Sequence, residues 1–307
     1  MSNMVVRTNI FALNAHRNLK NVGLDQVRAS QRLSSGYRIN TAADDAAGLA
    51  ISETMRAQIR GLDQASRNAQ DAQALITTTE GGLQEITNMI QRARELTVQA
   101  SNDTQVSINR NQISYEIGHL AKEIAQMRTR VEFNTRQTLN MSVAGSSKLH
   151  FQIGANAGQA MVHDFENIYK AILCATNGLV SLAEALGLRG IDTTPGTSAT
   201  IGSANTEAGT VMTTAGISAL LSNIQEILDD INIERAQLGA LVNRLDYTMR
   251  SLDVSSENLS DSESRIRNAD MAREMMRFTK SQVLQQAGVS MLAQANNLPN
   301  NLLQLLN

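Results

Sequence analysis

Two adjacent aspartates, Asp44 and Asp45, stand in the stretch LSSGYRINTAADDAAGLAIS, residues 33–52, and are the first candidates for catalytic carboxylates. A carboxylate pair can serve as general acid and general base. Thr41 lies three residues before Asp44, however, and a short acid there suits the positive end of a helix. The favoured interpretation is therefore a helix start capped at Thr41–Asp44 rather than an active site.

The other reactive side chains are four histidines and one cysteine. His16, His119, His150 and His163 show no metal-ligand spacing and no cysteine partner. Cys174 has no second cysteine for a disulfide and no evident base beside it, which favours a small apolar residue without a chemical role. No phosphate-binding glycine loop, dinucleotide fingerprint or nucleophile elbow occurs. We therefore expect no catalytic residues, no cofactor and no bound metal, and hence no enzyme.

Charge is balanced over the whole chain but not at its start. The formal charge of −2 gives no reason to expect nucleic acid as a partner. Residues 1–40 carry six basic side chains against Asp25 alone, a local charge of +5. This stretch is either a solvated helix face or a surface that pairs with acidic groups of another subunit, and the sequence leaves both open.

The sequence contains no signal for membrane insertion or for cleavage on secretion. A run of at least 18 apolar residues, the length needed to span a bilayer, does not occur in the sequence. Residues 1–21 contain polar and basic side chains throughout, unlike a secretory signal. On these features alone the chain would be expected in the cytosol.

Heptad spacing predicts the elements that position these side chains. Apolar residues recur at alternating steps of three and four from Leu62 to Ala100, from Ile113 to Val131 and from Ile217 to Leu259. A seven-residue repeat makes helices supercoil around one another. At 1.5 Å per residue the first and third helices would each reach roughly 60 Å. Only 3% of residues are aromatic, which also favours a bundle core made of Leu, Ile, Met and Ala.

The chain ends and the middle have different patterns. Both ends keep a helical spacing, but their apolar faces are thin and rich in Ala, so we expect them to order only when they pack together or on neighbours. In the middle, KLHFQIGANAGQAMVHDF alternates and then turns at two glycines, which predicts a β-hairpin near 148–164. The predicted fold is therefore mainly α, a long coiled-coil helix bundle with paired N- and C-terminal helices and a small β-hairpin region inserted in the middle.

Both ends of the sequence resemble the signatures of bacterial flagellin, the subunit of the flagellar filament. RLSSGYRINTAADDAAGLAIS is similar to the N-terminal signature, and SRIRNADMAREMMRFTKSQVLQQAGVSMLAQANNLPNNLLQLLN to the C-terminal one. The resemblance covers about residues 1–165 and 215–307. It implies that residues 33–52 connect an inner to an outer helical layer, with Leu33–Gly36 ending the first helix.

The resemblance also implies a layered organisation. Residues 1–45 and 260–307 would form the inner coiled-coil layer, and residues 46–175 and 213–259 the outer bundle. Residues 176–212 would be a short variable surface segment, rich in Gly, Ser and Thr.

The family further implies a secreted protein, located in the extracellular flagellum, which replaces the expectation of a cytosolic one. Flagellins leave the cell unfolded through a dedicated export apparatus and polymerise at the filament tip. The implied partners are the chain itself, an export chaperone and the export apparatus, and the filament cap and hook-associated proteins. Two alternatives remain: a hook–filament junction protein with similar terminal helices, and a generic coiled-coil adaptor.

A final resemblance concerns recognition by a host. QRARELTVQ, residues 91–99, is similar to the flagellin segment bound by the flagellin-sensing Toll-like receptor. The resemblance implies an exposed anchor, Leu96, one helical turn after Arg92, with a glutamate on the next helix. The candidate receptor and subunit contacts are Gln91, Arg92, Arg94, Leu96, Gln99 and Glu116.

Overall fold

The computed structural model describes residues 9–141, 148–185 and 214–305, with side chains omitted at 185, 214–220 and 298–305. Within these ranges the chain forms six helices and two short antiparallel hairpins, as the sequence predicted for the fold class. The helices are α1 (Ile10–Ser35), α2 (Ala46–Ala100), α3 (Ser107–Arg130), α4 (Glu166–Ala185), α5 (Thr214–Arg267) and α6 (Met271–Leu305). The strands are β1 (Glu132–Phe133), β2 (Arg136–Gln137), β3 (Lys148–Gln152) and β4 (Ala160–Asp164).

The chain divides into two compact units. The terminal unit comprises Met1–Arg60 and Ser256–Asn307, and the central unit comprises Gly61–Ser255. Helices α2 and α5 each contribute residues to both units, because the divisions fall within them.

The central unit contains the hydrophobic core, and the seam predicted in α2 lines it. Of the twelve seam positions from Leu62 to Ala100, all but the first are buried, including Ile76, Leu83 and Ile90. The helix runs through Gly81 and Gly82 without a break. A Cβ at Gly82 would lie 2.9 Å from a Val131 methyl group, so the glycine allows the chain after α3 to approach α2 closely.

Helix α5 runs antiparallel to α2 in the central unit, as three side-chain contacts show. Ser66 contacts Asp253 at 3.3 Å, Gln73 contacts Asp246 at 3.2 Å, and Arg235 binds Glu80 at 2.8 Å. Arg235 occupied an apolar position of the predicted seam. The structure instead places Arg235 in this ion pair and buries the neighbouring Glu234.

The hairpin predicted near 148–164 is confirmed. Strand β3 pairs with β4 from Lys148–Asp164 to Gln152–Ala160. Leu149 and Met161 are buried because alternate side chains of each strand face the core. The connecting turn uses Gly158 with a φ of 84°, a left-handed conformation that glycine adopts without strain.

Helix α4 follows the hairpin and had no counterpart among the predicted seams. It packs against α3, where the Arg128 guanidinium lies 5.1 Å from the centre of the Tyr169 ring. Its last turns enter the range 176–212 that we had assigned to a surface segment, yet Leu179, Leu182 and Ala183 are buried there. Residues 186–212 of that range lie outside the described residues.

The terminal unit consists of α1 paired with α6 and the adjoining parts of α2 and α5. Asn9 caps α1 by accepting from the Ala12 N–H, and it also donates to the Ala295 carbonyl of α6 at 2.7 Å. A Cβ at Gly288 would lie 3.1 Å from Leu19, so α6 approaches α1 closely there. Only Ala29, Ile39 and Ala295 are buried apolar side chains among the described residues of this unit.

Candidate functional site

The most extensive unpaired apolar surface of the described residues lies on the terminal unit. Large apolar side chains of both α1 and α6 are exposed to solvent in the single chain: Ile10, Phe11, Leu13, Leu24, Val27, Met271, Met275, Met276, Val283, Leu284, Val289 and Met291. Exposed apolar patches of this kind usually mark interaction sites. Because only three apolar side chains among the described residues of this unit are buried, the exposed ones remain available for contact with other molecules.

A short backbone pairing joins the ends of α1 and α5 in the terminal unit. Helix α1 ends at Ser35, as expected, with Gly36 in the left-handed region at φ 74°. Tyr37 then pairs with Asn268, while Arg38 N–H donates to the Arg267 carbonyl at 2.7 Å. The Ala269 N–H donates to the Gly36 carbonyl at 2.9 Å. These bonds fix where α1 ends relative to the start of α6.

Two arginines enclose the Tyr37 ring beside this pairing. The guanidinium carbons of Arg267 and Arg56 lie 4.9 Å and 5.6 Å from the ring centre, distances typical of cation–π contacts. Arg56 also donates to the Tyr37 hydroxyl at 3.1 Å and pairs with Glu263 at 3.1 Å. Arg267 pairs in turn with Glu53, so the connector is held mainly by polar contacts.

The two aspartates of the connector have separate structural roles, and one predicted role was assigned to the wrong residue. Asp45 directly precedes α2 and accepts from the Gly48 N–H at 2.9 Å, so Asp45 rather than Thr41 caps this helix. Asp44 accepts from the N–H groups of Asn40 and Thr41 and closes a turn before the helix. The Thr41 N–H lowers the pKa of the Asp44 carboxyl below its ordinary value. The pair therefore organises the connector.

The predicted recognition residues lie on α2 and α3 of the central unit. Arg92 donates to Glu116 through Nε and Nη2, at 3.1 and 3.0 Å, and to Glu95 at 3.1 Å. These side chains are about half exposed, so the ion pair lies on the surface. The hydrogen bond to Glu116 is the main cause that raises the pKa of Arg92 above its ordinary value. Gln91, Arg94 and Gln99 are exposed on the same helix.

Leu96 does not belong to this exposed surface, and the prediction of an exposed leucine anchor is wrong. Its side chain is 2% exposed and packs in the core of the central unit. The structure thus brings together Arg92 and Glu116 but turns Leu96 away from solvent. Leu96 is buried together with the seam residue Ala93, which shows that the buried face of α2 is wider here than a single heptad seam.

One buried acid was missed by the sequence analysis. Glu234 is 7% exposed, and its Oε2 atom has no hydrogen-bond partner. Burial raises the pKa of this carboxyl, and the nearby charges of Asp230 and Asp164 raise it further. The predicted seam passed through the neighbouring Arg235, so the seam gave no signal for the burial of Glu234.

The histidines and the cysteine form no catalytic arrangement among the described residues. Burial lowers the pKa of His163, and Asp164 opposes that shift. Cys174 is exposed on α4. Within ranges 9–141, 148–185 and 214–305, no cluster of three His, Cys, Asp or Glu side chains could hold a metal ion. No helix in the same ranges is long and apolar enough to cross a bilayer.

Comparison with family models matches both ends of the chain. Residues 6–144 match the bacterial flagellin N-terminal helical region, and residues 221–306 match the bacterial flagellin C-terminal helical region. The two matches include the paired terminal helices, the connector and the α2–α3 surface.

Curated relatives match nearly the whole chain. A flagellin of Halalkalibacterium halodurans is 42% identical over 304 residues, which cover 99% of this chain and 100% of that protein. A flagellin of Bacillus subtilis is 42% identical over 312 residues, with the same coverage. The flagellar filament 31.3 kDa core protein of Treponema maltophilum is 41% identical, also over 99% of this chain and 100% of that protein.

Proposed function

Because the chain belongs to the bacterial flagellin family, a family of structural filament proteins, we propose that it polymerises into the flagellar filament through the apolar surface of its paired terminal helices. The observation that carries this proposal is the exposure of large apolar side chains along both α1 and α6. Burying such surface against neighbouring copies would stabilise a polymer by about 25 cal/mol for each Å² removed from water. The assembling layer would consist of residues 1–45 and 260–307.

The proposed route to the filament is export in the unfolded state, followed by addition at the distal tip. The single cysteine supports this route, because the chain cannot form an internal disulfide that would hold it folded. The proposed partners are an export chaperone, the export apparatus, and the cap and hook-associated proteins. The proposed location is extracellular, in the flagellum. The names of the matched relatives, flagellin and filament core protein, favour the main filament subunit over a junction protein.

Seeded growth followed by electron microscopy tests the assembly surface. Removal of residues 298–307 should block filament growth while the central unit still melts cooperatively. Val283→Asp should do the same, because Val283 is 64% exposed and its replacement removes no internal packing. Gln282→Asp places the same charge at an exposed polar position of α6 and serves as the control. Normal filaments from the truncated chain and from Val283→Asp would refute this assembly surface, and short plugs from the wild type would indicate a junction protein.

A second proposed function is recognition of the monomer by a flagellin-sensing Toll-like receptor. The exposed Arg92–Glu116 pair favours it, since a charged group placed on a rigid helix surface can fix a partner's orientation. Gln91, Arg94 and Gln99 would complete the contact, and Leu96 would act only by holding α2 in place.

Titration of purified monomer with the receptor ectodomain tests this second function. Arg92→Ala should weaken binding by about 1–2 kcal/mol, while the central unit still melts cooperatively. Arg244→Ala changes the same charge at an exposed position of α5 and is the control. Receptor affinity that is unchanged in Arg92→Ala would mean that the resemblance reflects packing only.

A further inference from the structure

A cleft of about 410 Å³ lies between α1 and α6 of the terminal unit, and four of the ten residues that line it are basic. Arg28 and Arg32 enter from α1, and Arg277 and Lys280 enter from α6. The walls also carry two carboxylates, Asp25 and Glu274, and Asp44 lies 3.8 Å from Arg32, so one positive charge is in excess. Like charges on two paired helices repel, so the cleft favours an anion that lies between them.

The contacts of Arg28 and Arg32 with carboxylates in this cleft are long. Arg32 lies 3.5 Å from Glu274 and 3.8 Å from Asp44, and Arg28 lies 3.9 Å from Asp25. Some ion pairs elsewhere are shorter, at 3.0 Å for Arg92–Glu116 and 2.8 Å for Arg235–Glu80, whereas Arg38–Asp45 is as long, at 3.9 Å. The cleft thus holds guanidinium donors whose geometry leaves them available to a ligand.

The one short contact of the cleft cannot satisfy the other cations. Glu274 is 4% exposed and binds Arg277 at 2.7 Å. Its carboxylate carries a single charge, which is already shared between Arg277 and Arg32. Lys280 is exposed at the cleft wall, and no salt bridge joins it to another of the described residues.

We propose that this cleft binds a small multivalent oxyanion, such as inorganic phosphate or sulfate, between α1 and α6. Planar guanidinium groups bind such anions through paired hydrogen bonds, and an ammonium group adds a point charge. Because each helix supplies two of the cations, the bound anion stabilises the paired helices over the separated ones. Anion binding is therefore linked to α1–α6 pairing by mass action.

Hydrogen exchange of the full-length monomer measures this linkage. Phosphate is added and compared with sodium chloride at equal ionic strength, with sodium acetate as the singly charged oxyanion. At a phosphate concentration ten times the dissociation constant, exchange of the α1 and α6 amides should slow about tenfold. Chloride and acetate should slow it much less, and sulfate should act like phosphate.

Three variants locate the effect. Lys280→Gln and Arg32→Gln should each reduce the phosphate response several-fold, and Lys280→Gln removes no salt bridge among the described residues. Lys20→Gln makes the same charge change at an exposed α1 position outside the cleft and should keep the wild-type response. An equal response in Lys280→Gln and Lys20→Gln, or equal protection by chloride and phosphate, would overturn the proposal.

Discussion

The two units of this chain use similar helices in opposite ways. In the central unit, α2 and α5 direct Ile and Leu side chains into a shared core, for example Ile90 and Leu245, both fully buried. In the terminal unit, α1 and α6 leave side chains such as Phe11 and Met276 largely exposed, at 72% and 65%. On the proposed function, the central unit folds by itself, whereas the terminal unit is completed by contact with other copies of the chain.

The largest effect should come from a charge placed in the central core. Leu228→Asp puts an unpaired carboxylate at a position that is 5% exposed, which should cost about 5 kcal/mol, comparable to the whole stability of a domain. Ile124→Asp should behave alike. Thermal unfolding of the monomer should lose its cooperativity in both variants. Ile233→Asp is the control, because Ile233 lies on the same helix as Leu228 but is 55% exposed. Equal melting of Leu228→Asp and its control would contradict the assigned core.

A smaller loss of stability is expected at Leu96, and a smaller one still at Arg92, although the sequence prediction placed both residues on one exposed surface. Leu96→Ala should lower the free energy of unfolding by about 2–5 kcal/mol, because it opens a cavity in the core. Arg92→Ala removes an exposed ion pair and should cost within about 1 kcal/mol. Chemical denaturation of the two variants measures both changes. A loss from Arg92→Ala as large as that from Leu96→Ala would mean that the pair supports the fold more than the surface.

A third prediction concerns pH and the one buried acid of α5. The folded-state pKa of Glu234 is raised above its ordinary value of 4.5, so the folded chain binds this proton more tightly than the unfolded chain does. The Glu234 contribution is therefore most favourable below that ordinary value and is lost as pH rises through the folded-state pKa. Glu234→Gln should be more stable than the wild type at neutral pH, by less than the Leu96→Ala change, and the advantage should vanish in acid.

Denaturation midpoints over a pH series test this sign. Glu226→Gln, at an exposed position two turns earlier on the same helix, should show no such pH-dependent gain. A Glu234→Gln variant that loses stability at neutral pH would show that the carboxylate is stabilised by a partner.

The smallest effect is expected where the backbone of residues 36–38 pairs with that of residues 267–269 in the terminal unit, beside the Tyr37 ring. Tyr37→Leu removes the contacts with Arg56 and Arg267 and should cost about 1 kcal/mol locally. The amide hydrogens of Arg38 and Ala269, which bond across this pairing, should exchange faster with solvent. The exchange rates of amides in the central unit should not change. Tyr37→Phe keeps the ring and should retain most of the protection. Faster exchange throughout the central unit would mean that the two units are not independently stabilised.

Residue spacing alone was sufficient for the elements that bury one face. The α2 seam through Ile76 and Leu83 and the hairpin strands around Leu149 and Met161 were predicted, because their period matches a helix or a strand. Spacing was insufficient where one helix buries a wider face. Leu96 is adjacent to the seam position Thr97, and both are buried, which a two-helix heptad pattern does not anticipate.

Local competition explains the other differences between sequence and structure. Thr41 and Asp45 are both good helix caps, and the sequence pattern does not decide between them. In the structure Thr41 donates to Asp44 through its N–H and its hydroxyl, which closes a turn before α2. The cap of the helix is therefore Asp45. Of the candidate recognition residues, the Arg92–Glu116 contact could be anticipated only by resemblance, since its partners are 24 positions apart.

The polar contacts between α2 and α5 have a consequence for alignment. A heptad seam repeats itself, so two apolar helices can slide by seven residues and still match. The contacts Ser66–Asp253, Gln73–Asp246 and Glu80–Arg235 recur every seven residues on α2 but at steps of seven and eleven on α5. A slip of one heptad would bring Glu80 to the position facing Asp246, where two carboxylates repel, and would leave Arg235 without its partner. These polar side chains therefore specify one alignment of α2 with α5 among several of nearly equal apolar fit, as the chain folds.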